Sequence, residues 1–188
     1  MKYQPTWIQG EETAPGRRDA AGRYQAIADY LRGNPIGKDE PFTCLDFGAY
    51  GGYFCQRLAE DFGASCTAVD DYEGLVPSPG VTVINERLTA DQLARLGSFD
   101  VVLALSVLHH VLDWRRYLDA LLSAGTVLFI EVASPGEDLP EACAHGDSQA
   151  IATAVADLGG AVMTWTPGYD ARHLRPLWVV DWRKPDAH

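Results

Sequence analysis

Apolar positions along this chain switch between helical and strand spacing. Residues 1–18 show neither, because Pro5, Gly10, Pro15 and Gly16 interrupt any repeat, and they are expected to form an irregular surface arm. Tyr24, Ile27, Ala28 and Leu31 then fall at i, i+3, i+4 and i+7. That spacing predicts a helix capped by Asp19 and stopped by Gly33 and Pro35. Residues 42–47 predict the first strand. Phe54, Leu58 and Phe62 return to helical spacing and end at Gly63, so this helix packs one stripe on a sheet.

The same alternation continues through residues 64–69 and 81–84, a second and a third strand. Thr89-Ala90-Asp91-Gln92 has the form of a capping box and opens a short helix through Leu96. Residues 99–105 are a nearly unbroken apolar run, as a central strand covered on both faces requires. Asp113 is placed to cap a helix with Trp114, Tyr117, Leu118 and Leu121 inward, and residues 126–132 predict a fifth strand. A helix carrying Ile151, Val155 and Leu158 stops at Gly159-Gly160. Residues 161–166 and 177–182 both alternate in strand fashion. Only 167–176 separate them, too few for a crossover helix, so the two strands should pair antiparallel.

Chemistry concentrates where the first strand becomes a helix, at Asp46-Phe47-Gly48-Ala49-Tyr50-Gly51-Gly52. Glycines let the backbone turn sharply against a ligand, and the following helix N-terminus presents unpaired N–H groups. Asp70 lies 22 residues after Gly48. In dinucleotide folds an acid at roughly 20 residues meets the ribose hydroxyls.

That corner, Asp70, and the run Ser98-Phe99-Asp100-Val101-Val102-Leu103-Ala104-Leu105-Ser106-Val107-Leu108-His109-His110 together resemble class I S-adenosylmethionine-dependent methyltransferases. By element order the resemblance extends over nearly the whole chain. It implies an α/β fold: a Rossmann-like, doubly wound, seven-stranded and mostly parallel sheet whose terminal strand is reversed in a C-terminal β-hairpin. It also implies one domain over 1–188, with 1–18 as arm and 19–188 as core. The family's D-x-G-x-G-x-G departs here at Tyr50, which stands in the middle-glycine position, and Gly51 is expected to supply the permissive backbone one residue later.

The resemblance also assigns roles. Asp46, Gly48, Ala49, Tyr50, Gly51 and Gly52 would wrap the methionine part of S-adenosylmethionine, and Asp70 would accept from both ribose hydroxyls, with Asp71 its neighbour. Asn85, Glu86 and Arg87 stand where the family grips adenine, Glu86 and Asn85 being the alternatives for its amino group. Leu105 and Ser106 would approach the methionine part or the sulfonium. Tyr50 is either a surface aromatic or a cover for the cofactor. His109 and His110 are the candidate catalytic residues, as a general base or as shapers of the loop before the next helix. His145, His173 and His188 fall in loops or the tail without metal-ligand spacing.

Composition narrows the function classes. With 188 residues and 47% hydrophobic composition the chain can bury the core of a single domain. A net charge of −11 argues against a duplex-binding surface, which needs clustered Lys and Arg. The start of the chain lacks an apolar signal region and no run approaches the roughly 18 apolar residues of a membrane span, so a cytoplasmic protein without a membrane partner is expected. Cys44, Cys55, Cys66 and Cys143 lack C-x-x-C spacing and read as small core residues in a reducing compartment. Arg17, Arg18 and Arg23, and likewise Arg115 and Arg116, either meet an anion or pair with the chain's acids. The loop 134–147, with Glu137, Asp138, Glu141 and Asp147, is either an acidic lid or a solvated loop.

No Asn/Asp-Pro-Pro-Tyr/Phe run or Pro-Cys nucleophile follows the fourth strand, which disfavours methylation of DNA bases. Methyl transfer to a small molecule is the leading expectation. The alternatives are a methyltransferase acting on nucleic acid or protein, and an inactive S-adenosylmethionine-binding scaffold. A nicotinamide oxidoreductase shares the corner and the ribose acid, but the reversed hairpin argues against it.

Overall fold

The computed structural model describes residues 3–8, 10–13, 15–36, 41–139, 142–143 and 147–183. The expectations for Glu141, His145 and His188 lie outside the described residues. The chain forms two compact units, Met1–Arg87 and Leu88–His188.

In the first unit the arm is partly regular, contrary to the expectation from its broken pattern. β1 (Trp7–Ile8) and β2 (Glu11–Glu12) pair antiparallel, with Gly10 at φ 84° in the turn. No periodicity announced this hairpin, because side chains rather than a repeat hold it down. The Trp7 ring meets Tyr53 edge-on at 5.9 Å and lies under the Arg57 guanidinium, and its Nε1 donates to Glu60. Helix α1 (Ala20–Gly33) starts as expected: Asp19 Oδ1 accepts from the Gly22 amide at 2.8 Å. Arg23, fully buried, donates from Nε to the Asp19 carbonyl and from Nη2 to Gln4.

Strands β3 (Thr43–Phe47), β4 (Ser65–Val69) and β5 (Val81–Ile84) are parallel neighbours, in register Cys44↔Cys66 and Cys66↔Val81. Helix α2 (Tyr53–Phe62) links β3 to β4 and ends at Gly63 in the left-handed conformation. Because the three strands are parallel, the residues following β3, β4 and β5 share one edge. Open α/β sheets bind ligands at that carboxyl edge.

In the second unit α3 (Ala90–Ala94) carries the complete Thr89–Gln92 capping box. β6 (Phe99–Leu105) and β7 (Gly125–Glu131) are parallel, joined by a 3-10 turn (Leu108–His110) and α4 (Trp114–Ala124). Asp113 occupies the N-cap position of α4, but its side chain makes no cap bond and pairs with Arg116. After α5 (Ser148–Ala156), β8 (Ala161–Pro167) and β9 (Leu174–Asp181) form the expected antiparallel hairpin, and β9 also runs antiparallel to β7. Leu158, expected within the preceding helix, follows it. The strands extend further than the alternation suggested and leave only 168–173 as loop.

β3 through β9 are thus the seven strands of a mostly parallel α/β, Rossmann-like fold in which β9 is reversed. No described helix is long and apolar enough to cross a membrane.

Candidate functional site

The corner after β3 is built on left-handed backbone. Gly48 (φ 84°), Tyr50 (φ 50°) and Gly52 (φ 76°) all adopt it. Tyr50 therefore takes the conformation itself, and Gly51, expected to supply it, is not among the positive-φ residues. Gly51 is required for a different reason: a Cβ there would lie 2.2 Å from Thr6 Cγ2, so the arm packs directly on the backbone. A left-handed non-glycine residue costs about 1–2 kcal/mol and persists only where its surroundings hold it. The Tyr50 amide is held by Asp70 Oδ2 at 2.8 Å. Its ring stacks on Tyr72 at 4.2 Å and meets Tyr3 edge-on at 5.7 Å.

Asp70, just past β4, is the hub of this unit's carboxyl edge. Oδ2 takes the Tyr50 amide and Oδ1 takes the Tyr72 amide at 2.9 Å. Burial pushes its carboxyl up, and those two amides pull it back. Each oxygen keeps a second lone pair, so a carboxylate fixed from behind by two N–H groups can still accept from a vicinal diol. The site fits a ribose on that ground. Asp71, Asn85, Glu86 and Arg87 are exposed, and Asp71 and Arg87 close on each other in an ion pair at 3.0 Å.

Asp46, on β3, is the other acid of this corner. It is buried in the core, where Oδ2 accepts from the Cys55 thiol at 3.9 Å. Burial, reinforced by Cys66 and Asp70, pushes its carboxyl from an ordinary 3.8 up to about 8, against an opposing pull from Arg23. Between those values the folded state binds a proton that the unfolded chain has released. Stability must therefore fall as pH rises through the window, by at most about 1.4 kcal/mol per pH unit. Asp46→Asn is expected to flatten the fall in unfolding free energy between pH 5 and about 8. Denaturant titrations across that range check it, and an unchanged slope refutes it.

Burial likewise pushes the Cys44 thiol well up, and hydrogen bonding to Cys66 together with burial does the same to Cys55. Both are inert core thiols.

In the second unit Leu105 and Ser106 end β6, both buried. Ser106 (φ 64°) lies in a network absent from the sequence expectations. Its hydroxyl donates to Glu131 Oε2 and accepts from Arg175 Nη1 at 2.8 Å. Glu131 Oε1 accepts from Thr166 at 2.7 Å. Arg175 grips Glu137 with two parallel bonds of 2.8 Å. Glu137 is therefore neither lid nor solvated loop: its carboxylate also accepts the Tyr169 and Ser134 amides. One signal was available. Arg175 occupies the inward phase of the strand that also buries Leu177, and a charge there demands a partner.

His109 is buried and His110 exposed, with ring centroids 4.4 Å apart. Arg116 pairs with Asp91 at 2.7 Å, the acid-pairing alternative, and Arg115 lies over the Trp114 ring.

Comparison with known proteins agrees with this geometry. A sequence model described as a methyltransferase domain matches residues 17–183. A ubiquinone biosynthesis O-methyltransferase of Caulobacter vibrioides is 32% identical over 121 residues, covering 57% of this chain and 48% of that protein. One of Ruegeria pomeroyi is 34% identical over 96 residues, covering 45% and 38%. This chain therefore spans about half the length, or less, of these curated relatives. Among solved structures, magnesium protoporphyrin IX methyltransferase from Synechocystis PCC 6803 with bound SAH shares 19% identity at a TM-score of 0.59, covering 84% of this chain and 81% of that one. The glycine corner, the doubly braced Asp70, the reversed β9 and the family match over 17–183 agree, and the chain belongs to the methyltransferase-domain family, the class I methyltransferases whose cofactor is S-adenosylmethionine.

Proposed function

We propose that this chain transfers a methyl group from S-adenosylmethionine to a hydroxyl oxygen of a small molecule in the cytoplasm, working as one domain over 1–188 with 1–18 as its arm and 19–188 as its core. The observation that carries the cofactor half is Asp70, whose two oxygens are oriented by the Tyr50 and Tyr72 amides and keep lone pairs for a diol. Gly48, Ala49, Tyr50, Gly51 and Gly52 would hold the methionine part, with Asn85 or Glu86 at the adenine. The choice of oxygen rests on the curated O-methyltransferase relatives. The choice of a small molecule rests on the net charge of −11, which repels polyanions.

Bound S-adenosylmethionine supplies an electrophilic methyl group. The protein's part is then to orient an acceptor, exclude water and remove the acceptor's proton. Labelled S-adenosylmethionine incubated with fractionated cell extract tests the proposal. Label is expected in base-stable small-molecule ethers. Label confined to protein or nucleic acid, or no transfer despite cofactor binding, would refute it.

A further inference from the structure

Large exposed apolar side chains among the described residues concentrate in the β8–β9 hairpin. Trp165, Leu174, Trp182 and Val162 are 56%, 51%, 47% and 37% exposed, while Ile8, Val76 and Leu112 stand singly elsewhere. Register puts Val162, Trp165 and Leu174 on one face. Val162 pairs with Trp178, Trp165 with Pro176 and Pro167 with Leu174, all in the phase of β9 opposite to the buried Arg175 and Leu177. β8 is also the last strand of its sheet, with no strand along its outer side among the described residues. An edge strand presents a row of N–H and C=O groups to any further strand, and charged side chains or a mid-strand proline ordinarily block the approach. β8 carries neither. Its seven residues, Ala161 to Pro167, are uncharged, and its proline is the last of them. A register shift between Val162 and Thr164 lies at mid-strand, where a twofold axis would pass.

Charge selects the occupant of this edge. The whole chain carries 26 acidic against 15 basic residues, yet residues 161–183 carry three arginines and two aspartates. Two copies meeting through other surfaces bring acid against acid, and through this hairpin they do not. The two ends of β8 are moreover complementary: exposed Asp157 lies ahead of the strand and exposed Arg172 beyond it. The loop that carries Arg172 is fixed. The Arg172 and His173 amides donate to Asp170 Oδ1 at 3.0 and 3.2 Å, His173 Nδ1 meets Asp170 Oδ2 at 2.9 Å, and the Tyr169 amide donates to Glu137. Arg172 spends one side-chain bond of 3.1 Å on Asp170, and its fork has further N–H groups for a second acid.

We propose that the outer edge of β8 pairs antiparallel with β8 of a second copy of this chain about a twofold axis. Residues opposite each other across such a pair share a face, so Val162 of each copy stands against Trp165 of the other, a β-branched side chain on an aromatic one, twice. The same symmetry brings the Arg172 end of each copy to the Asp157 end of the other. Main-chain hydrogen bonds hold the two strands together, and these side chains set their register. Seven residues a side make a small interface, so the dimer is reversible.

Sedimentation equilibrium of the full chain is expected to show a monomer–dimer system at tens to hundreds of micromolar. Amide exchange of residues 161–167 should slow as concentration rises. Val162→Lys puts a charge on the edge twice per dimer and is expected to weaken association about 10-fold or more, with the unfolding midpoint of the parent. Leu112→Lys, equally on the surface but outside the hairpin, should associate as the parent does. Asp157→Arg and Arg172→Asp are each expected to weaken the dimer, and the two together to restore it. A chain that stays monomeric throughout overturns the proposal. So does a dimer that Val162→Lys leaves intact or that leaves exchange in 161–167 unchanged, since it must form through another face. A double charge variant as weak as either single one overturns the twofold arrangement.

Discussion

Asp70→Ala is expected to weaken S-adenosylmethionine binding by about 100-fold or more, the largest functional effect of any single substitution in the first unit. Two hydrogen bonds from ribose hydroxyls to an ionised carboxylate contribute about 1.5 kcal/mol each, and a 3 kcal/mol loss corresponds to roughly two decades in Kd. The true effect should exceed that sum. Asp70 also fastens the Tyr50 and Tyr72 amides, so its removal frees a left-handed tyrosine from the bond that holds it and loosens the corner that wraps the methionine part. Asp70→Asn separates the two contributions. One of its two positions becomes an NH2 that faces an amide N–H, donor against donor, while size and shape are kept. Calorimetric titration with S-adenosylmethionine and with S-adenosylhomocysteine should show both variants weakened and the alanine variant weakened more. An affinity within a few-fold of the parent for Asp70→Ala would move the ribose contact to another residue.

Local chemistry is what the sequence displayed, and long-range pairing is what it concealed. The Thr89–Gln92 capping box, the Asp19 cap and the apolar run of β6 depend on neighbours within one turn or one strand, so residue order alone specifies them. The corner and Asp70 were visible for the same reason: their spacing is a property of one strand–helix–strand unit. Tyr50 shows the limit of that logic. Its place in the glycine pattern suggested that the left-handed backbone would shift to Gly51, yet Asp70 and the stacked Tyr72 ring keep Tyr50 itself in that conformation. Glu137 is the sharper case. Among Asp138 and its acidic neighbours it looked solvated, and only a partner 38 positions along the chain makes it a buried anion. His173 falls in a loop without metal-ligand spacing. Its partner Asp170 lies three residues away, a spacing that says nothing until the loop's anchors are known.

Arg175→Met is expected to be the most destabilising substitution in the second unit, lowering unfolding free energy by about 3–5 kcal/mol. The Arg175 and Glu137 side chains are 1% and 0% exposed, so neither charge is screened by water. Removing the guanidinium strands the Glu137 carboxylate in the interior and leaves the Ser106 hydroxyl without its donor. The exposed pair Arg116–Asp91 is shorter, at 2.7 Å, yet its side chains are 59% and 63% exposed. Breaking it should cost under about 1 kcal/mol. Distance therefore ranks the two pairs wrongly and burial ranks them correctly. The double variant Arg175→Met/Glu137→Gln removes both charges, while the new amide oxygen can still accept from the Tyr169 amide. It should recover most of the loss, because an uncompensated buried charge, and not the missing ion pair, accounts for the larger share of the penalty. Denaturant unfolding of the two single charge variants and the double variant closes the cycle. A double variant as unstable as Arg175→Met would show instead that the guanidinium's packing and its bond to Ser106 hold the end of β6 in place.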